Sequence, residues 1–171
     1  YNLYITTSEN VFLKFIVNEK SQQEFFGEIT TDLYIDNKDD YQMSGRGTVY
    51  LGDNCYYKFF RKFDAKGKAV FNGPVTDPDL DIAAIYKGFA TSGTGATGEQ
   101  NLQDVIIDLN VNGSATNPVL TISIDRGQGK ESGSNASSDA ISFLLFGTFK
   151  DQLSFEQSTS LGANIGCLLY T

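Results

Sequence analysis

Apolar and polar residues alternate over much of the chain, with a period that fits strands. In "FFGEITTDLYID", Phe25, Ile29, Leu33 and Ile35 share one face, and Glu28, Thr30, Asp32 and Asp36 the other. Met43, Val49 and Leu51 oppose Ser44, Arg46 and Thr48, while Val105, Ile107, Leu109 and Val111 oppose Asp108, Asn110 and Asn112. Leu120, Ile122 and Ile124 repeat the pattern, as do Leu80, Ile82, Ala84 and Tyr86. Turn chemistry punctuates these runs at "DNKDD", "GDN", "DAKG", "GPVTDPD" and "NGSATNP". The spacing predicts strands of roughly 8 residues, about 26 Å each. Connections this short favour an antiparallel meander, because parallel crossovers need a dozen or more residues. "KGFATSGTGATGEQN" reads as a loop and "RGQGKESGSNAS" as a solvated linker. One helix is expected at about 138–148, capped by Ser137, Ser138 or Asp139 and ended by Gly147. In "TDPDLD", Pro78 is expected to open an edge-tolerant strand with Asp79 and Asp81 toward water.

Composition narrows the function. The chain has 171 residues, enough for one domain, and a net charge of −8 with no His. An acidic balance argues against nucleic acid and against docking on anionic lipid. No apolar run is long enough for a membrane helix. Both ends read as cut from something longer. Cys55 and Cys167 are far apart; a disulfide is possible in an oxidising compartment, and two independent thiols are the plainer reading.

Candidate chemistry is thin. "GTGATG" (93–98) has the form of a dinucleotide fingerprint, but a strand-like run follows where a helix should open. Asp77, Asp79 and Asp81 lack the Gly and distal Glu of a calcium loop. Without His, neither the usual zinc sets nor a Ser-His-Asp triad can be assembled. No catalytic residue, metal or cofactor is expected.

An ordered set of motifs says more. Tyr57-Lys58-Phe59 is followed by Phe63 through Gly67 to Phe71-Asn72-Gly73, then by Pro78-Asp79-Leu80-Asp81-Ile82. Next come Gly113 through Asn117-Pro118-Val119-Leu120, and Ile141-Ser142-Phe143-Leu144-Leu145-Phe146-Gly147. In this order they resemble the C-terminal domain of the TamB family, translocation and assembly module subunits within the AsmA-like bridge-type lipid transfer superfamily. The flavour of "YYKFFRKFDA" is most like versions from the Bacteroidota. The resemblance covers roughly residues 1 to 155. It departs where the family's "SDP" is replaced by "SIDRGQGKESG", so the segment before the helix is expected to be reshaped. The strands that normally close the domain are expected beyond the end of this chain.

The resemblance implies a single C-terminal domain (1–171) whose sheet curls into an open, taco-like trough with an apolar lining. The expected lining is Ile29, Leu33, Ile35, Met43, Val49, Leu51, Tyr57, Phe59, Phe71, Leu80, Ile82, Val105, Ile107, Leu109, Val111, Leu120, Ile122 and Ile124. It further implies a non-enzymatic periplasmic role, with phospholipid or unfolded outer-membrane protein strands as cargo and an Omp85-type (TamA) barrel as partner. Attachment to the inner membrane would lie in regions outside this chain. Alternation by itself equally describes a sealed β-sandwich of structural or adhesive type, which is the alternative.

Overall fold

The computed structural model describes residues 2–7, 11–18, 23–39, 42–58, 61–94 and 100–153. The strands are β1 (Asn2–Thr6), β2 (Val11–Asn18), β3 (Gln23–Asp39), β4 (Gln42–Lys58), β5 (Lys62–Pro74), β6 (Asp79–Thr94), β7 (Gln100–Ser114), β8 (Val119–Asp125) and β9 (Lys130–Ser132). One helix, α1 (Ser134–Phe146), and a 3-10 turn (Lys150–Gln152) follow. All nine strands belong to one open sheet, ordered β1-β3-β4-β5-β6-β7-β8-β9, with β2 also paired to β3. The fold is the expected antiparallel meander, and no second sheet forms a sandwich among the described residues.

The chain divides into two compact units that share β6, β7 and β8. In the first (residues 1–85 and 109–121), β1 and β2 both run along β3, against Asp32–Asp36 and Gln23–Ile29 respectively. Between them the Thr7 N–H donates to the Thr31 carbonyl at 3.0 Å, and the Thr31 N–H donates to Thr7 Oγ1 at 2.9 Å. β1 and β2 are thus two pieces of one interrupted edge strand.

β3 and β4 each run 17 residues, about twice the expected length. The reason is that "GDN" does not turn the chain. It forms a bulge in β4, between the Leu51–Gly67 and Cys55–Ala65 pairs. "DAKG" likewise continues within β5, where Gly67 has φ +141° and an added Cβ would lie 2.1 Å from the Asp81 carbonyl oxygen of β6. These turn-like residues permit close backbone approach within a strand rather than reversing it. Beside the bulge, a Cβ on Gly27 would lie 2.2 Å from Cys55 Sγ. The missing side chain is the space in which the buried Cys55 thiol sits, its Sγ 3.1 Å from the Glu28 carbonyl oxygen. Burial pushes that thiol's pKa up.

At the other end of this unit the β5–β6 turn (75–78) is tied to the β7–β8 turn. Ser114 Oγ, the Thr116 N–H and Thr116 Oγ1 all donate to Asp77 Oδ1, and the Ala115 N–H donates to the Pro78 carbonyl. Asp77 therefore serves this clamp. β6 is not an edge strand, since it lies between β5 and β7; Pro78 is tolerated because it precedes the strand and needs no ladder N–H.

The second unit (residues 86–108 and 122–171) has a closed core. Ala136, Ala140 and Phe143 of α1 pack with Ala90, Val105, Ile107, Ile124 and Phe149, and Tyr86, Ile122 and Leu144 lie against them. Ala136 and Ala140, four apart, let the helix approach the sheet closely. Phe143 stacks on Phe149 at 5.3 Å between ring centroids, and the Arg126 guanidinium lies over Phe149 at 4.6 Å. Arg126 also pairs with Asp139 at 2.6 Å.

α1 begins four residues before the expected start. Asp139 is not its cap: one carboxylate oxygen takes Arg126, and the other accepts the Lys150 N–H at 3.1 Å. Gly133 precedes the first turn, and Gly147 ends the helix in the left-handed region (φ 74°), as expected. Part of the expected linker is β9, which pairs with Ser123–Asp125 of β8. Likewise β6 extends to Thr94 and β7 begins at Gln100, so the expected loop there is strand at both its ends.

Three substitutions test this arrangement. Gly67→Ala should lower stability by about 3 kcal/mol or more, because a methyl must displace strand backbone. A urea midpoint equal to that of wild type would contradict it. Ile107→Asp, at a fully buried position, should lose about 4 kcal/mol or more and with it the near-ultraviolet dichroism of the second unit's aromatic cluster. Ser114 first, then Thr116, holds the Asp77 carboxyl below the usual aspartate range. A depressed folded pKa contributes stability above the unfolded value of about 3.9 and loses it as pH falls through the folded value. The gap in thermal midpoint between wild type and Asp77→Asn should therefore be widest near neutrality and narrow on acidification; a pH-independent gap would contradict the clamp.

Candidate apolar face

Residues directly opposite in a ladder point to the same side of a sheet, so the registers decide which side chains meet. In the first unit Ile29 pairs with Leu51, Thr31 with Val49, Leu33 with Gly47 and Ile35 with Gly45. Continuing across, Val49 pairs with Ala69, Gly47 with Phe71, Ala69 with Leu80 and Gly67 with Ile82. The β4 bulge carries two extra residues, so parity survives it: Cys55 opposes Ala65 and Tyr57 opposes Phe63 on the same face. Met43 joins by alternation with Gly45.

Of the expected lining, Ile29, Leu33, Ile35, Met43, Val49, Leu51, Tyr57, Phe71, Leu80 and Ile82 thus occupy one face of the first unit. Leu33 is buried, Met43 is exposed and the others are half-buried. Burial also raises the Tyr57 phenol's pKa. Leu109 and Val111, half-buried, alternate together on β7, and Leu120 is exposed on β8. Phe59 lies outside the described residues.

Val105, Ile107 and Ile124 are elsewhere. They are fully buried beneath α1 with Ile122 against them, which makes them core of the second unit rather than an open lining. One short helix suffices to cover them, because only the short strand stretches within that unit need covering.

Sequence reasoning missed several members of the apolar face. Leu3 and Ile5 pair with Ile35 and Leu33, and Val11 and Leu13 pair with Ile29 and Gly27. All four are exposed. Alternation in "NLYIT" was available for the first two, whereas "VFLKFIV" is apolar on both parities. Phe63 and Ala65 are buried on this face as well, next to Ala84, which alternation already groups with Leu80 and Ile82. A "DAKG" read as a turn hides the first two.

The opposite face is mainly polar, with an aromatic strip of Phe12, Phe26 and Tyr56. Asp32, Thr48, Arg46, Asn72, Lys68 and Asp81 alternate with the apolar set, and the Lys68–Asp81 pair sits directly opposed. Asp36, expected toward water, is buried at 6% exposure beside a polar recess of about 200 Å³ lined also by Tyr34, Ser44, Arg46 and Asn72. Asp79 and Asp81 are exposed, as the alternation requires.

None of this assembles a catalytic constellation. No group of three or more Cys, Asp or Glu that could hold a metal ion occurs among the described residues. Of the fingerprint-like run at 93–98, Gly93 and Thr94 end β6, residues 95–98 lie outside the described residues, and the next described element is strand β7, in keeping with the strand-like run read there. Cys55 is a free thiol, and Cys167 lies outside the described residues.

The arrangement is therefore one of surfaces: the first unit is a two-faced sheet, apolar on one side, and the second has a helix-covered core. No curated protein and no solved structure matches the chain. A family model does, that of the TamB C-terminal domain, over residues 2–168, and on that match the chain belongs to the TamB family.

Proposed function

We propose that this domain is a non-enzymatic hydrophobic-groove module of the bacterial envelope, conveying phospholipid between the inner and outer membranes. Acyl chains lie against the apolar face of the first unit. The observation that carries this reading is the shared parity of β1–β6, which leaves Leu3, Ile5, Val11, Leu13 and Met43 exposed beside Val49 and Ile82. Leaving such residues in water is unfavourable for a domain that binds nothing.

The magnitudes suit a conduit. An acyl chain of about 14 carbons in water costs on the order of 10 kcal/mol at about 0.8 kcal/mol per CH₂. A continuous apolar wall removes most of that barrier, while the polar face keeps the outside wetted. The domain works in the periplasm, and the full-length protein is held at the inner membrane through regions outside this chain.

A second reading has the same face cradle unfolded outer-membrane protein strands during assembly with an Omp85-type barrel. It is favoured by the interrupted edge of β1 and β2, whose outward backbone groups can accept an added strand.

Photo-crosslinking side chains at Val49, Ile82 and Leu109 in cells should capture phospholipid, and one at Thr48 on the polar face should not. Ile82→Asp should reduce copurified phospholipid about tenfold or more, since a charge on a lipid-filled wall costs several kcal/mol. Capture of polypeptide alone at these positions would favour the second reading. Absence of any adduct, with no lipid in native mass spectra, would refute both.

A further inference from the structure

Five of the thirteen Lys and Arg residues fall within positions 58–68, in a chain whose net charge is −8. On the polar face of the first unit, where β4 meets β5, Lys58 and Lys62 are directly opposed in register. Like charges across a ladder destabilise it; Lys58 is offset by Glu24, directly opposite on β3, whereas Lys62 faces only Lys58 across the β4–β5 ladder. Lys66 lies on the same face of β5, two residues beyond Asp64, and Arg61 adjoins Lys62; Arg61, Lys62 and Lys66 are exposed. Lys58, Lys62 and Lys66 enter no ion pair among the described residues.

An aromatic ladder crosses the same face. Phe12 of β2 stacks on Phe26 of β3 at 5.9 Å, Phe26 on Tyr56 of β4 at 5.5 Å, and Lys62 Nζ of β5 lies 4.5 Å from the Tyr56 ring. Phe12 is 58% exposed. Glu24 pairs with Lys14 at 3.0 Å, accepts from Tyr56 Oη at 3.2 Å and also faces Lys58 in register, which leaves Lys62 and Lys66 as the cations in excess.

We propose that this face is a docking surface for an anionic phospholipid bilayer. Cations spread over β4 and β5 match a plane of headgroups rather than one free phosphate, with strands about 4.8 Å apart and alternate residues about 6.6 Å apart. The exposed Phe12 supplies an apolar ring to enter the interface, and Tyr56 behind it an amphipathic one of the kind that settles at the headgroup level. Nucleic acid is the less suitable partner. Bases need open ring faces, and here Phe26 is covered on both sides while Tyr56 is covered by Phe26 and Lys62. The total of −8 hides a local excess: Asp32, Asp36, Asp79 and Asp81 share this face but stand opposite residues 44–48 and 68–70, away from Lys58 and Lys62.

Flotation of the 171-residue chain with phosphatidylglycerol-containing vesicles, against pure phosphatidylcholine vesicles, tests the proposal. Wild type should float with the anionic vesicles, stay behind with the neutral ones, and bind less as salt rises. Lys58→Gln/Lys62→Gln should weaken partition about 25-fold, at about fivefold per lysine, and Lys58→Arg/Lys62→Arg should retain it. Lys150→Gln, outside the patch, should partition as wild type. Circular dichroism confirms that each variant is folded. Equal partition of wild type and the Gln pair, equal binding to neutral vesicles, or retention on single-stranded oligonucleotide in place of vesicles would each overturn it.

Discussion

Everything distinctive about the first unit depends on parity across its ladders. A strand has only two sides, and a slip of one residue exchanges them along its whole length. The β4 bulge could have scrambled the sheet. Because it adds two residues, Leu51 before it and Cys55 after it stay on one side, as do Gly67 and Ala65 opposite. The same regularity keeps Lys58, Lys62 and the Phe12–Phe26–Tyr56 ladder on the other side.

The second unit solves the opposite problem. There α1 and Phe149 seal Val105, Ile107 and Ile124, each large aliphatic group contributing about 1.5–3 kcal/mol by leaving water.

Much of this was legible in the sequence. Alternation placed Ile29, Leu33, Ile35, Val49, Leu51, Leu80 and Ile82 correctly, because a half-buried antiparallel strand writes its two faces directly into the residue order. The β5–β6 turn and the helix stop at Gly147 were equally plain, each resting on residues with specific backbone preferences. The failures have a common cause. Gly52-Asp53-Asn54 and Gly67 have turn chemistry, but the neighbouring strands decide whether that freedom reverses the chain or merely bulges it. Asp139 looked like a cap until Arg126, thirteen residues away, claimed it. Val105 and Leu109 are indistinguishable by pattern, and only the position of α1 makes one core. The Lys58–Lys62 juxtaposition depended on a hairpin register that composition averages away.

The space left by Gly27 has a consequence for how the sheet can be watched. Cys55 fills it with a thiol only 2% exposed. A soluble alkylating reagent can reach that sulfur only when its surroundings open, so its rate of modification at Cys55 is a clock for local opening around the bulge. The protein carries its own reporter of breathing at the bulge, at a position where no probe has to be introduced.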